Sequence, residues 1–241
     1  MLISIEGSTN NLSLALLKND LVISNETLNI KNELAQIIVP TINFLLNKNS
    51  IRINNLSAII VGCGPGSFTG IRTVIAAAKG IAFSNNKLRN IGVSGLAGLA
   101  MSVVDEALKN NIKYIISMID TKRNDVFLQL FQLNNQDKLL FPFQAMNEIE
   151  VLKIEHVNEY LKKYNLSNKD ILFVGHKSSS INSNIYNIKI SESLSQYPKA
   201  IWIGKLALHL INRLENTDSK GIAFNKFDPI YVRSPEINKK I

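Results

Sequence analysis

Apolar and polar positions along the chain fall into two successive blocks of similar order. Residues 2–6 read as a short buried strand and 12–18 as a second, with Gly7, Ser8, Thr9, Asn10 and Asn11 as the turn between them. Asn19 and Asp20 turn the chain into a third apolar run at 21–30, so the pattern predicts a three-stranded meander. A helical period follows over 33–47, with Leu34, Ile38, Ile42 and Leu45 at three-to-four spacing. Pro40 lies inside it, removes a backbone donor and crowds the preceding turn, which predicts a bend or an irregular start. Residues 58–62 form a continuous apolar strand that enters a glycine-rich loop. The helix leaving that loop carries Ile71, Val74, Ile75 and Ala78 on one stripe, while Ala76, Ala77 and Gly80 keep its surface flat. A short strand at 91–93 precedes Ser94, which can cap a third helix bearing Leu96, Leu99, Ala100 and Val103.

The second block repeats this order without repeating the sequence. Runs at 113–120, 125–133 and 138–144 read as strands, with the polar turn 134–137 between the last two. A helix is predicted at 154–164, strands at 171–175 and 185–190, and a final helix at 200–214 with Ile203, Leu206, Ala207, Leu210 and Leu214. The expected class is α/β with two lobes, each a mixed sheet flanked by helices. Asn110-Asn111 interrupts the periodicity, which places the division at 1–104 and 105–241, the second lobe holding the final helix and an irregular tail from Gly221.

Composition narrows the possibilities. At 241 residues and 46% hydrophobic, the chain can bury a large core and is not a disordered protein. A lone cysteine, Cys63, allows no internal disulfide and points to a reducing compartment. The longest apolar stretch, 91–104, is too short and too interrupted by Gly and Ser to span a membrane. The expected location is the cytoplasm. Lys and Arg number 27 against 19 Asp and Glu, a formal charge of +8. The 33 Ile, 30 Asn and 21 Lys carry the mark of a base-biased genome, which raises Lys without a functional cause. Residues 1–104 hold 8 basic and 4 acidic side chains, so half of the excess lies in each lobe and no single RNA-binding face is indicated.

Candidate chemistry is concentrated in three places. Gly64, Gly66, Ser67, Phe68, Thr69 and Gly70 join a buried strand to a helix N-terminus, where free backbone donors and the helix dipole can hold an anion. Ile71 and Arg72 follow Gly70, so the loop is not a Walker A motif. Its glycines equally suit a tight connection that serves backbone angles and close packing. Glu6, followed by Gly7, Ser8 and Thr9, could position a metal or water beside phosphates held by the hydroxyls, or could be a strand-end acid facing solvent. Asp120 closes the matching strand of the second block, but its turn, Thr121-Lys122-Arg123-Asn124, has two cations where a phosphate hairpin needs a flexible backbone. His156, His176 and His209 have no metal-ligand spacing and Cys63 stands alone, which excludes a structural zinc site. No metal site is expected, and no nucleophile elbow supports a serine triad.

The run Gly64 to Arg72, with Ala78-Lys79-Gly80-Ile81-Ala82, resembles the signature of the TsaB (YeaZ) family, and the resemblance extends along most of the chain. Leu2 to Thr9, Ile91 to Ser94, Ile119-Asp120 and Pro229-Ile230-Tyr231-Val232-Arg233 also resemble family segments. The resemblance implies a two-lobed fold of the actin, Hsp70 and sugar-kinase type (ASKHA, ribonuclease H-like). It implies a non-catalytic scaffold and activator in the transfer of threonylcarbamoyl from threonylcarbamoyl-AMP to N6 of adenosine 37 in tRNAs reading codons that begin with A. Catalysis would reside in the TsaD partner, with the TsaE ATPase docking on the assembly. A homodimer would form when the chain is alone, and tRNA would be met through the complex. No cofactor is then required by this chain, since ATP and Mg belong to the partner subunits. Glu6 with Ser8 and Thr9, and Asp120, become degenerate phosphate-hairpin positions. Leu34, Ile38, Ile42, Leu45, Arg72, Ile75, Ala76 and Lys79, on the first two helices, become candidate partner-binding residues. An autonomous ATP-dependent phosphotransferase of the same superfamily is the alternative, and a peptidase a third.

Overall fold

The computed structural model describes residues 1–30, 33–134, 142–166, 170–181, 188–191, 196–212, 222–224 and 226–232. At its first centre lies β1 (Leu2–Glu6), every residue of which is buried. β2 (Asn11–Lys18) pairs with it antiparallel, and β3 (Leu21–Asn29) extends the meander. On the other side β4 (Ala58–Gly62) and β5 (Arg89–Val93) add in parallel, which requires the crossover helix between them. The continuous apolar character of β1 and β4 reflects cover on both faces, whereas β3 at the edge exposes alternate residues.

The second sheet repeats the plan. β6 (Tyr114–Asp120) is central, with β7 (Val126–Leu133) and β8 (Phe143–Ala145) antiparallel on one side. β10 (Ile171–Gly175) and β11 (Ile188–Ile190) are parallel on the other. The orders β3-β2-β1-β4-β5 and β8-β7-β6-β10-β11 correspond strand for strand and in direction. β9 (Glu150–Leu152), which the sequence pattern did not suggest, also pairs with β7.

Helices α1 (Leu34–Lys48) and α2 (Phe68–Ser84) cover the outer face of the first sheet, and α5 (Val157–Lys163) that of the second. α1 is unbroken across Pro40, which is exposed. The expected helix at 154–164 opens with a 3₁₀ turn over Ile154–His156 before α5 begins. The third expected helix divides into α3 (Gly95–Met101), capped by Ser94 through Ala97 N–H at 3.5 Å, and α4 (Val104–Lys109), with Val103 at the break. The remainder of the predicted strands 138–144 and 185–190, Leu214 and Arg233 lie outside the described residues.

The last helix, α6 (Ala200–Asn212), corrects the sequential division of the chain. It was expected in the second lobe, but it packs on the inner face of the first sheet, against β1, β2, β4 and β5, while α3 packs on the second sheet against β6, β7 and β10. β12 (Ala223–Phe224) then pairs with β5 and extends the first sheet. α3 and α6 meet between the sheets, where a Cβ on Gly98 would stand 2.7 Å from Ile203 Cγ2. One apolar core therefore joins inward residues of both sheets, such as Leu17, Ile60, Leu172 and Val174, to Leu99 and Ile203. Two buried serines hold the start of α6 on the first sheet. Ser4 Oγ donates to Ala200 O at 2.7 Å, and Ala200 N–H donates to Ser13 Oγ at 3.1 Å. None of the described helices is long and apolar enough to cross a membrane.

Candidate functional site

The two halves place their first turns opposite each other, at the carboxyl ends of β1 and β6, and a cleft of roughly 420 Å³ opens between them. Ser8, Thr9 and Asn10 line it from the first turn, and residues 119–123 from the second; the 65–68 loop, Phe127, Tyr197 and residues 230–232 complete it. Its size and position are those of a small-molecule site in an open α/β fold.

On the first-lobe side the β1–β2 turn and the β4–α2 loop are fastened to each other. Ser8 O accepts Ser67 N–H at 2.7 Å. A Cβ on Gly66 would come within 2.2 Å of Ser8 O, and one on Gly70 within 2.3 Å of Gly7 O, so both glycines serve backbone approach. Ser67 Oγ accepts Gly70 N–H at 3.1 Å and caps α2. Gly64 sits at φ 98°, in the left-handed region, and its carbonyl accepts Gly95 N–H at 2.8 Å. Two of the donors that an anion loop would offer, Ser67 N–H and Gly70 N–H, are thus used internally.

Glu6 faces neither cleft nor solvent. It is fully buried, and its Oε1 accepts Ser8 N–H at 2.7 Å and Ser8 Oγ–H at 2.5 Å. Oε2 is buried without a hydrogen-bond partner among the described residues and lies over Gly62, where a Cβ would be 1.6 Å away. Burial raises the carboxyl pKa and outweighs the opposing hydrogen bonds from Ser8 and Gly7. A solvent-facing strand-end acid, one of the expectations for this position, is overturned by that enclosure. Cys63 beside it is also buried, its thiol pushed up to about 12 by burial and by the proximity of Glu6.

Across the cleft Asp120 is occupied differently. Its Oδ1 accepts Lys122 N–H at 3.0 Å and pairs with Lys177 Nζ at 3.0 Å, while Oδ2 lies 3.5 Å from Lys122 Nζ. Burial alone would raise its pKa, but the hydrogen bonds from Lys177 and Lys122 and their two charges hold it below the ordinary carboxylate value. His176 Nδ1 stands 3.6 Å from Oδ2, and burial, with Lys122 and Lys177, lowers its pKa against the pull of Asp120. Lys122 and Asn124 adopt left-handed backbone at φ 65° and 63°, so the turn closes without glycine.

Two separate segments of the sequence meet at the mouth of the cleft. Arg72 Nε donates to Tyr231 Oη at 2.8 Å, and its guanidinium lies 3.8 Å from the Phe68 ring centroid. The Phe68 and Tyr231 rings are 5.2 Å apart, and Ile230 N–H donates to Cys63 O at 2.8 Å.

The candidate partner-binding residues separate by face. Ile38, Ile42, Leu45 and Ile75 are buried against the first sheet and cannot reach a partner, because the apolar stripes of α1 and α2 are what fasten these helices to it. Leu34 is half-buried beside Gly7, and Arg72 is engaged by Phe68 and Tyr231. Ala76 and Lys79 are exposed. Sequence reasoning passed over the large apolar residues that do face outward: Val39 (47% exposed) and Phe44 (56%) on α1, and Phe83 (93%) on α2. The phase opposite to the core stripe, followed through Arg72, Ala76, Lys79 and Phe83, is the signal that would have found the last of them. Among the described residues no three His, Cys, Asp or Glu side chains converge as a metal site.

Paired sheets of matching order, helices packed between them and a cleft at the facing turns define the two-lobed actin, Hsp70 and sugar-kinase (ASKHA, ribonuclease H-like) class. The family model described as TsaD, tRNA N6-adenosine threonylcarbamoyltransferase, matches residues 22–225. The tRNA threonylcarbamoyladenosine biosynthesis protein TsaB of Bacillus subtilis is 29% identical over 182 residues, 74% of this chain and 72% of that one. The protein of the same name from Haemophilus influenzae is 26% identical over 215 residues, 87% of this chain and 86% of its own. The solved structure of YeaZ from Pseudomonas aeruginosa superposes with a TM-score of 0.69 at 21% identity, over 96% of this chain and 99% of that one, a likeness of fold. The chain belongs to the tRNA N6-adenosine threonylcarbamoyltransferase (TsaD) family and, within it, to the TsaB (YeaZ) group.

Proposed function

We propose that this chain acts in tRNA threonylcarbamoyladenosine biosynthesis as a non-catalytic scaffold and activator, docking on the TsaD subunit that transfers the threonylcarbamoyl group to N6 of adenosine 37. The observation that carries this reading is the outward face of the α1–α2 pair. Val39, Phe44 and Phe83 are exposed there, and the small residues Ala76 and Gly80 leave room for close helix approach, with none of the described residues within 4 Å of a Cβ at Gly80. The cleft supports the non-catalytic part: Glu6 is enclosed, and Asp120 is committed to Lys177 and Lys122. In this reading ATP and Mg are handled by the partner subunits, TsaE docks on the assembly, tRNA is met through the complex, and the same face forms a homodimer when TsaD is absent. The compartment is the cytoplasm.

Mixing the chain with TsaD from the same organism tests it. Phe83→Ala removes a ring whose burial contributes about 1.5–3 kcal/mol, so the heterodimer Kd rises by roughly 10- to 150-fold. Phe83→Asp abolishes binding by placing an unpaired charge in the interface. Both variants keep the thermal stability of the free chain, because the ring is almost wholly in solvent. Unchanged affinity in Phe83→Asp and Phe44→Asp overturns the docking face, and turnover of Mg-ATP by the isolated chain overturns the non-catalytic role.

A further inference from the structure

The enclosed acid at the end of β1 is the strongest feature that docking does not explain. This carboxyl has no solvent exposure, its Oε1 takes both hydrogens of Ser8, and burial holds its pKa above the ordinary carboxylate value. Its Oε2 has no partner among the described residues, and the absence of a side chain at Gly62 provides its space. Among the described residues, the groups packed around it offer no compensating cation. β2 places Ser13 opposite Glu6, β4 contributes Gly62 with Cys63 directly after it, and α2 turns Gly70 and Val74 towards the same turn. Cys63 is the one titratable group among these, and it too is kept protonated; Asp228 in the tail acts on it in the same direction. From Glu6 a chain of contacts runs outward: Glu6 Oε1 to Ser8, Ser8 O to Ser67 N–H at 2.7 Å, and Ser67 Oγ to Gly70 N–H in the first turn of α2.

We propose that Glu6 is a positioning residue, a buried neutral acid that caps the β1–β2 turn and, through Ser8 and Ser67, seats the N-terminus of α2. Where α2 forms the docking face, an extension that rests on the function proposed above, the same acid sets the pitch of that face. Because the folded pKa is raised above the unfolded one, folding takes up a proton at pH values between the two. Stability conferred by Glu6 is complete below the unfolded pKa and declines as pH rises towards the folded one.

The test compares the wild-type chain with Glu6→Gln and Glu6→Ala, with no partner present. Gln keeps an acceptor for Ser8 and has nothing to ionise. As pH rises above the ordinary carboxylate pKa, the wild-type unfolding constant is expected to grow relative to that of Glu6→Gln, by up to about tenfold per pH unit. Amide exchange at Ser67 and Gly70 is expected to be protected alike in wild type and Glu6→Gln, and at least tenfold faster in Glu6→Ala. Parallel pH profiles for wild type and Glu6→Gln show a charged Glu6 and overturn the proposal; equal Ser67 and Gly70 exchange in all three chains overturns the positioning role. Because both readouts use the isolated chain, they are independent of the docking assignment. Equal TsaD affinity for Glu6→Gln and Glu6→Ala overturns only the extension to the docking face.

Discussion

Two glycines of one helix should respond to the same substitution with opposite sign. Gly70 is the third residue of α2 and Gly80 the thirteenth, and alanine is the better helix former at both by up to about 1 kcal/mol. At Gly80 none of the described residues lies within 4 Å of the added Cβ, so Gly80→Ala should stabilise the chain by about 0.5–1 kcal/mol. At Gly70 the Cβ falls 2.3 Å from Gly7 O, about 1 Å short of van der Waals contact, and the obstacle is backbone. α2 or the β1–β2 turn must move by that distance, and Ser67 N–H to Ser8 O, at 2.7 Å, lies in the way. Overpacking of this kind costs about 1–3 kcal/mol and exceeds the propensity gain. For a chain of this size, each kcal/mol shifts Tm by about 2–4 °C. Thermal and urea unfolding of the two variants beside wild type should show Gly80→Ala above it and Gly70→Ala below. A Gly70→Ala variant as stable as wild type would refute the close seating of α2 and return the loop's glycines to serving a bound anion.

Two further outcomes follow from buried and paired groups. Ser13→Ala leaves Ala200 N–H buried without its acceptor and should cost about 1–3 kcal/mol in urea unfolding, more than Ser4→Ala, since the Ala200 carbonyl keeps the helix donor four residues on. The double variant should fall short of additivity, as both serines hold the same residue. For Asp120, whose folded pKa is lowered, the stability gained is present above its unfolded pKa and lost as pH falls through the folded one. Lys177→Ala should move the NMR titration of the Asp120 carboxyl upward towards the ordinary range, and Asp120→Asn should flatten the acid limb of the stability profile.

Strands covered on both faces were the most legible elements. β1, β4 and β10 coincide with the predicted runs 2–6, 58–62 and 171–175, because a continuous apolar stretch bounded by polar or glycine residues has few other solutions. Helical stripes gave the buried face but not its partner. The apolar period of α6 is the same whether it lies on the first sheet or the second, and the contacts that decide, Ser4 and Ser13 to Ala200, join residues almost 200 positions apart. A similar ambiguity misdirected the reading of α1, where Ile38, Ile42 and Leu45 looked fit for a partner and are used by the sheet beneath. The meeting of Arg72 with Tyr231 left no trace in local pattern, although both lie in segments marked by resemblance.

The cleft shows how much of a site belongs to the fold and how much to the side chains. Two equivalent turns at the ends of β1 and β6 face each other because the sheets have the same order, and that symmetry produces a cavity whatever residues occupy it. Each turn begins with an acid, Glu6 in one and Asp120 in the other, at corresponding strand ends. Glu6 is withdrawn by length and by Gly62, which lets the carboxyl fold inward, and Asp120 is withdrawn by Lys122 and Lys177. Restoring one acid cannot rebuild a charged pair across the cleft. Lys177→Ala leaves Lys122 on Asp120 and Glu6 inside, and shortening Glu6 to Asp leaves both lysines on Asp120.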